Sequence, residues 1–135
     1  VDIILNDKLE KASNYDILLE IKTDCLAETE IQDIDWCSIL ANLLDNAIEA
    51  TQKLNSEKEI NISLIYDRRR LIISVENTYA GKLKMKKEQL FTSKEDEYSH
   101  GIGLKNVGMV VEKYKGTVDI SYDNAWFKIY VMLYI

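Results

Sequence analysis

The segment DWCSILANLLDNAIEATQKL, residues 35–54, predicts one long helix with two different faces. Apolar residues recur along it at intervals of three and four, which is the spacing of a helix face that packs on a core. The predicted core face consists of Leu40, Leu43, Leu44, Ala47, Ile48 and Thr51. Aspartate caps helix N-termini, so we expect the helix to begin at Asp35 and to run to about Leu54.

The second face of this helix holds Asn42, Asp45, Asn46 and Glu49. Asparagine and aspartate are poor helix formers, whereas exposed helix faces usually carry long lysine and glutamate side chains. Four oxygen-bearing side chains on one face are suited to bind a hard cation such as Mg²⁺ and its waters. A solvated face with local side-chain hydrogen bonds explains the same residues, and this segment alone does not separate the two.

The flanking segments predict a sheet. Periodicity over residues 1–14 predicts a short helix, and alternation over 16–24 predicts a half-buried strand. Two further strands, 59–66 and 71–76, are joined by a hairpin turn at 67–70. The three adjacent arginines of that turn fit an exposed hairpin tip better than a nucleic-acid patch.

The C-terminal part completes the pattern. Helical spacing over about 104–114 predicts a second helix, with Gly116 as its C′ residue. Strands follow over 117–122 and 126–135. This order of elements predicts an α+β fold: a two-layer α/β sandwich with a mixed, mostly antiparallel sheet and helices on one face.

Between the second hairpin strand and that helix, residues 77–101 show no periodic pattern over 25 residues. Structureless segments of this length are uncommon in compact domains and are usually functional. Five lysines and one glutamate give residues 82–94 a net charge of +4, so the rest of the chain carries −10. A basic lid over an anionic ligand fits this composition, and so does a merely solubilising loop.

The pattern Gly101-Ile102-Gly103 stands where the second helix begins. Glycines allow close approach of the backbone, and a helix N-terminus presents unpaired N–H groups, so the combination suits a phosphate. It is neither a dinucleotide fingerprint nor a Walker A loop, because the required further glycine and Gly-Lys-Ser/Thr are missing. A hinge before a helix remains the plain alternative.

Composition excludes several classes of protein. One histidine, His100, rules out a multi-histidine metal centre, and Cys25 and Cys37 are too few for a disulfide scaffold or a zinc site. A net charge of −6 argues against a general nucleic-acid binder. The apolar run 129–135 is far shorter than the roughly 20 residues that span a bilayer. We therefore expect a reduced, cytoplasmic domain.

Taken together, Asn42-Leu-Leu-Asp-Asn46-Ala-Ile-Glu49-Ala and Gly101-Ile-Gly103-Leu104-Lys-Asn-Val resemble the N box and the second glycine box of the GHKL ATP-binding superfamily. Within it, the chain resembles the catalytic and ATP-binding domain of bacterial sensor histidine kinases from about Asp16 to Ile135. The resemblance implies the Bergerat (GHKL) fold, with ATP and Mg²⁺ as ligands.

Several roles are implied by that resemblance. Asn46 matches the family's Mg²⁺ ligand, and Asn42 matches a position that is glutamate in the hydrolases, where it activates water. An amide is no general base, so ATP is expected to be held for transfer. Phe91 stands at the lid's F box, and Lys94 is expected to reach a phosphate. The remaining nucleotide contacts implied are Glu49, His100, Gly101, Ile102, Gly103 and Leu104.

The first glycine box departs from the family pattern, which is usually Asp-x-Gly-x-Gly. Asn77 replaces the aspartate that accepts from the adenine amino group, Tyr79 replaces the first glycine, and Gly81 remains. An uncharged acceptor implies weaker nucleotide binding by about 1 kcal/mol. This variant, together with the Phe-Thr-Ser-Lys lid, resembles the peptide-pheromone quorum-sensing receptor kinases.

The resemblance also implies what works with this chain. His100 lies inside the phosphate motif, so the phosphoacceptor histidine is expected on a dimerisation domain of the same or a partner subunit. Residues 1–14 are then the tail of its helix, and 15–135 the ATP-binding domain with a lid at about 78–100. A response regulator is the expected downstream partner, with no direct nucleic acid. The chain is expected to be a cytoplasmic domain of a membrane-bound receptor.

Two other functions remain open on the same fold. A serine kinase resembling the anti-sigma factors phosphorylates a protein serine instead. An interaction module with the altered first glycine box binds no nucleotide at all.

Overall fold

The computed structural model describes residues 2–24, 31–80 and 99–135, with the backbone alone for residues 2 and 99–103. The described residues form three helices and five strands. In chain order these are α1 Asp2–Asn14, β1 Leu18–Asp24, α2 Asp33–Gln52, β2 Glu59–Asp67, β3 Arg70–Thr78, α3 Ser99–Lys113, β4 Thr117–Tyr122 and β5 Trp126–Tyr134. None of these helices is long and apolar enough to cross a membrane.

The strands form one sheet in the order β1-β2-β3-β5-β4. Only β1 and β2 are parallel; the other three neighbouring pairs are antiparallel. One face of each central strand is buried in alternation, while the opposite residues are partly or fully exposed. The helices cover the buried face, so the predicted two-layer sandwich with a mixed, mostly antiparallel sheet is confirmed.

The core lies between α2 and this buried sheet face. Every aliphatic residue of the predicted core face of α2 is at most 1 % exposed, and so is Thr51. The sheet contributes alternating residues of three central strands. They are Ile60, Ile62, Leu64, Leu71, Ile73, Val75, Phe127, Ile129, Val131 and Leu133. The helical and strand periodicities of the sequence therefore meet in one apolar cluster.

The predicted start of α2 at Asp35 is wrong. The helix begins at Asp33, and Gln32 occupies the N-cap position without a side-chain capping hydrogen bond. Asp35 lies within the first turn, where its carboxylate is used by residues far along the chain. A capping aspartate and a buried ion-pair partner are indistinguishable in the local sequence.

The predicted C′ residue of α3 is also wrong. Lys115, not Gly116, has the left-handed backbone, with φ of 56°. Lys115 N–H donates to Glu112 O, and Gly116 N–H donates to Val111 O at 2.9 Å, which together make a Schellman motif. Gly116 is required for another reason: a Cβ there would lie 1.9 Å from the carbonyl oxygen of Met132 in β5.

Helix α3 starts earlier than the periodicity predicts, at Ser99 rather than near Leu104. Gly101 and Gly103 therefore lie within its first two turns and not in a hinge before it. Glycine lowers helix propensity by about 1 kcal/mol but does not forbid a helix. The predicted hairpin is confirmed: Arg68 and Arg69, both with positive φ, form the two-residue turn between β2 and β3.

Candidate functional site

Four side chains join the start of α2 to the end of α3; we call them the Asp35 cluster. Lys113 Nζ lies 2.9 Å from Asp35 Oδ2 and 3.2 Å from Gln32 Oε1. The hydroxyl of Tyr114 also donates to Asp35 Oδ2, and the backbone N–H of Gln32 donates to that hydroxyl. Asp35 is 7 % exposed. The hydrogen bonds from Lys113 and Tyr114 hold the pKa of the Asp35 carboxyl below its ordinary value.

This cluster fixes the relative register of two antiparallel helices. Asn46 follows Asp35 by eleven residues in α2, and Gly101 precedes Lys113 by twelve in α3. At about 1.5 Å per residue, both positions lie about 17 Å from the cluster along helices that pack together. Measured along the two helices, Asn46 and the first glycine of α3 are thus at similar distances from the Asp35 cluster.

We expect Asp35→Asn to lower stability in a pH-dependent way. The pKa of Asp35 is depressed in the folded state, so the carboxylate stabilises the fold above its ordinary pKa of 3.8 and loses this effect as pH falls through the lower folded-state pKa. At pH 7 the variant should be less stable by about 1 kcal/mol. Urea unfolding followed by tryptophan fluorescence measures the difference, which should narrow below pH 3.8. An equal difference at every pH would contradict the assignment.

The second face of α2 is half-buried along its length: Asn42, Asn46 and Glu49 are all of intermediate exposure. The amide nitrogen of Asn42 donates to the backbone carbonyl of Ser38, one turn earlier. That is the local hydrogen bond expected of a solvated face, but the face itself is not fully exposed. The three side chains retain oxygen atoms on a face that is only partly exposed.

Asp45 does not act as a fourth oxygen donor of this face. Its Oδ1 lies 2.6 Å from Lys8 Nζ and 3.3 Å from Lys11 Nζ, both on α1. Lys8 is 9 % exposed, so Asp45 balances a nearly buried ammonium group. Leu5 and Ala12 of α1 are buried as well, and the ion pairs anchor that helix to α2.

The end of β3 places Asn77 on the buried face of the sheet, where it is 1 % exposed. Its amide nitrogen donates to the carbonyl oxygen of Thr78 at 2.9 Å. The hydroxyl of Thr51 in α2 donates to the same carbonyl at 3.2 Å. Asn77 is therefore held next to the C-terminal half of α2, where Thr51 follows Glu49 by two residues.

Other predicted site residues are placed less fully. Outside the described residues lie Gly81, Phe91 and Lys94. Within the first two turns of α3, where the backbone alone is described, lie His100, Gly101, Ile102 and Gly103. Leu104 follows with a fully buried side chain in the core, which leaves its backbone as the part able to face a ligand.

The donor set on α2 fits a magnesium ion shared with a phosphate ligand. Mg²⁺ takes oxygen ligands, keeps several waters and uses one or two protein groups together with phosphates. Asn46 and Glu49 are three residues apart on the same side of α2. In the part of the chain that the structure describes, no three His, Cys, Asp or Glu side chains form a metal site by themselves.

Sequence reasoning missed the role of Thr51. The helical spacing places it on the core face, and it is buried there, but its hydroxyl also joins α2 to β3 through Thr78. The signal was present: a hydroxyl on an otherwise aliphatic stripe implies a buried hydrogen bond. The partner was not identifiable, since it lies 27 residues away.

Comparisons with known proteins agree with this fold. The family model described as "GHKL domain" matches residues 31–134. The catalytic domain of the histidine kinase ThkA, in a nucleotide-free form, superimposes with a TM-score of 0.82 at 20 % identity, over 98 % of this chain and 90 % of that chain. The mycobacterial sensor histidine kinase MprB superimposes with a TM-score of 0.74 at 17 % identity, over 98 % of this chain and 93 % of that chain. The Acinetobacter baumannii histidine kinase AdeS superimposes with a TM-score of 0.67 at 17 % identity, over 98 % of this chain and 64 % of that chain. No curated protein matches the sequence.

Proposed function

The chain belongs to the GHKL domain family, and from that premise we propose that it is the ATP-binding catalytic domain of a sensor histidine kinase. One observation carries the proposal. The half-buried Asn46 and the buried Thr51 lie in the C-terminal half of α2, Thr51 hydrogen-bonds to the end of β3 beside the buried Asn77, and the helix that packs on α2, α3, begins with a glycine-containing turn. This arrangement suits a ligand with a base at one end and phosphates at the other.

Each group has a distinct part in holding ATP. Asn77 accepts from the adenine amino group, while the backbone N–H groups at the start of α3 receive the phosphates. Asn46, with Glu49 beside it, supplies oxygen ligands for Mg²⁺, which neutralises phosphate charge when bound. Lys94, from the basic segment 82–94, is proposed as a further phosphate contact.

Asn42 favours transfer of the γ-phosphate over its hydrolysis. Its amide has no basic lone pair at neutral pH, and its nitrogen is committed to the carbonyl of Ser38. A water molecule next to it is therefore not deprotonated. The domain then acts by positioning the phosphate for an external nucleophile.

The proposed nucleophile is a histidine on a dimerisation domain of the same or a partner subunit. Helix α1 and residues 15–135 then correspond to the linker helix and the catalytic domain, with the lid at about 78–100. A response regulator receives the phosphoryl group in turn. We also propose a cytoplasmic position in a membrane-bound receptor of the quorum-sensing type.

The test combines binding and transfer. Calorimetry with ATP and Mg²⁺ should show saturable binding, and incubation with a histidine-bearing dimerisation domain should give an acid-labile phosphoprotein. Acid-stable phosphate on a serine of a supplied protein would instead indicate the serine kinase. Absence of binding at millimolar ATP would indicate the interaction module.

A further inference from the structure

Tyr79, which stands where the family usually has glycine, is held at three points. Its backbone N–H donates to Ala125 O at 3.0 Å, and so continues the pairing of β3 with β5 beyond Thr78. Its hydroxyl donates to the carbonyl of Asp123. Its ring lies 6.0 Å from that of Phe127, centroid to centroid, at an interplanar angle of 59°. The side chain is thus anchored on the β4–β5 turn.

That turn is itself closed by hydrogen bonds to the side chain of Asp123. The carboxylate oxygen Oδ1 of Asp123 accepts from the backbone N–H groups of Ala125 at 2.8 Å and Trp126 at 2.7 Å. Burial, and then the nearby charge of Asp123, raises the pKa of Tyr79, so its hydroxyl keeps the proton that it donates. Tyr79 therefore has a fixed platform.

The peptide group between Thr78 and Tyr79 connects this platform to the candidate site. Its N–H is the one that Ala125 accepts, and its carbonyl oxygen accepts from Asn77 Nδ2 and from Thr51 Oγ1. Asn77 also lies directly opposite Phe127 in the register of β3 and β5. Fixing this single peptide plane fixes the direction in which the Asn77 amide points.

An amide has two chemically different ends, so its direction determines which base it accepts. With Nδ2 of Asn77 donating to Thr78 O, the direction of the amide oxygen is set as well, and this oxygen is the acceptor that pairs with a donor. Adenine carries an amino donor at position 6, whereas hypoxanthine carries a carbonyl acceptor there. Free rotation of the amide would let the nitrogen pair with that carbonyl instead.

We propose that Tyr79 is a positioning residue that makes the site selective for a 6-aminopurine by fixing the orientation of the Asn77 amide. The inference rests on the proposed ATP-binding function. Tyr79 breaks the family's glycine pattern, but it then still serves adenine recognition. A fixed orientation of the Asn77 amide replaces the negative charge of the aspartate that the family usually has there.

The test compares the affinities for ATP and ITP, which differ at purine position 6, by calorimetry with Mg²⁺. The wild-type chain should bind ATP about tenfold more tightly than ITP, since a mismatched buried hydrogen bond is strongly disfavoured. In Tyr79→Ala the ratio should fall to about threefold or less. The control Tyr130→Ala removes a tyrosine from the opposite face of the sheet and should keep the wild-type ratio.

The ratio of the ATP and ITP affinities separates positioning from general destabilisation, because a loosened fold weakens the binding of both nucleotides alike. If Tyr79→Ala does not fold, Tyr79→Phe, which removes only the hydroxyl, decides by the same ratio. An unchanged ratio in a folded variant that binds ATP would overturn the inference and leave the proposed function standing. Absence of binding of either nucleotide to the wild-type chain would overturn both.

Discussion

Asn46→Asp should lose ATP-dependent phosphorylation of a supplied histidine-bearing domain, on the order of 100-fold or more. The amide of Asn46 offers a neutral oxygen on the half-buried face of α2. A carboxylate of the same shape adds a negative charge where the proposed function places three phosphates and a metal ion. Because that charge is partly shielded from water, repulsion is not screened as it would be at the surface.

Radiolabelled phosphotransfer at saturating ATP measures the loss, and thermal unfolding checks the fold. Asn55→Asp, the same chemical change at an exposed position after α2, is the matched control and should keep wild-type transfer. Both variants should melt within about 2 °C of the wild-type chain. Transfer by Asn46→Asp at the wild-type rate would remove Asn46 from the proposed metal site.

The sequence predicts the helices and strands better than the residues at which they begin and end. Helix α2 and the alternating strands follow from which residues are apolar, since one face of each must be buried. The ends follow from partners that no local pattern contains. Asp35 has the chemistry of a cap, yet it is used by Lys113, which lies 78 residues away.

In the candidate site, too, the sequence predicts which side chains share a face but not what surrounds each of them. Asn42, Asn46 and Glu49 are predicted from their unusual helix face, and the structure leaves all three half-buried. Asp45 shares the spacing but not the environment, because Lys8 lies 2.6 Å from it. Spacing along a helix identifies which side chains share a direction, whereas only packing shows which of them a neighbour has already neutralised.

Gly116→Ala should destabilise the fold by about 3 kcal/mol. Its Cβ would lie 1.9 Å from the carbonyl oxygen of Met132 and 3.1 Å from the Cα of Leu133, so backbone and not a flexible side chain must move. Met132 pairs with Thr117, the first residue of β4, and the displacement would therefore break the edge of the sheet.

Lys115→Gly in the same Schellman motif gives the opposite expectation and serves as the control. Lys115 holds a left-handed backbone with φ of 56°, which glycine adopts without steric strain, so stability should rise by about 0.5–1 kcal/mol. Urea unfolding with linear extrapolation measures both variants, with the buried Trp36 as a fluorescent probe. Glycine is thus expected to be indispensable at position 116, because a Cβ there meets β5. At position 115, where the chain carries lysine in a left-handed conformation, glycine is expected to raise stability. Equal stability of Gly116→Ala and the wild-type chain would show that the approach of β5 to this turn is looser than the 1.9 Å distance implies.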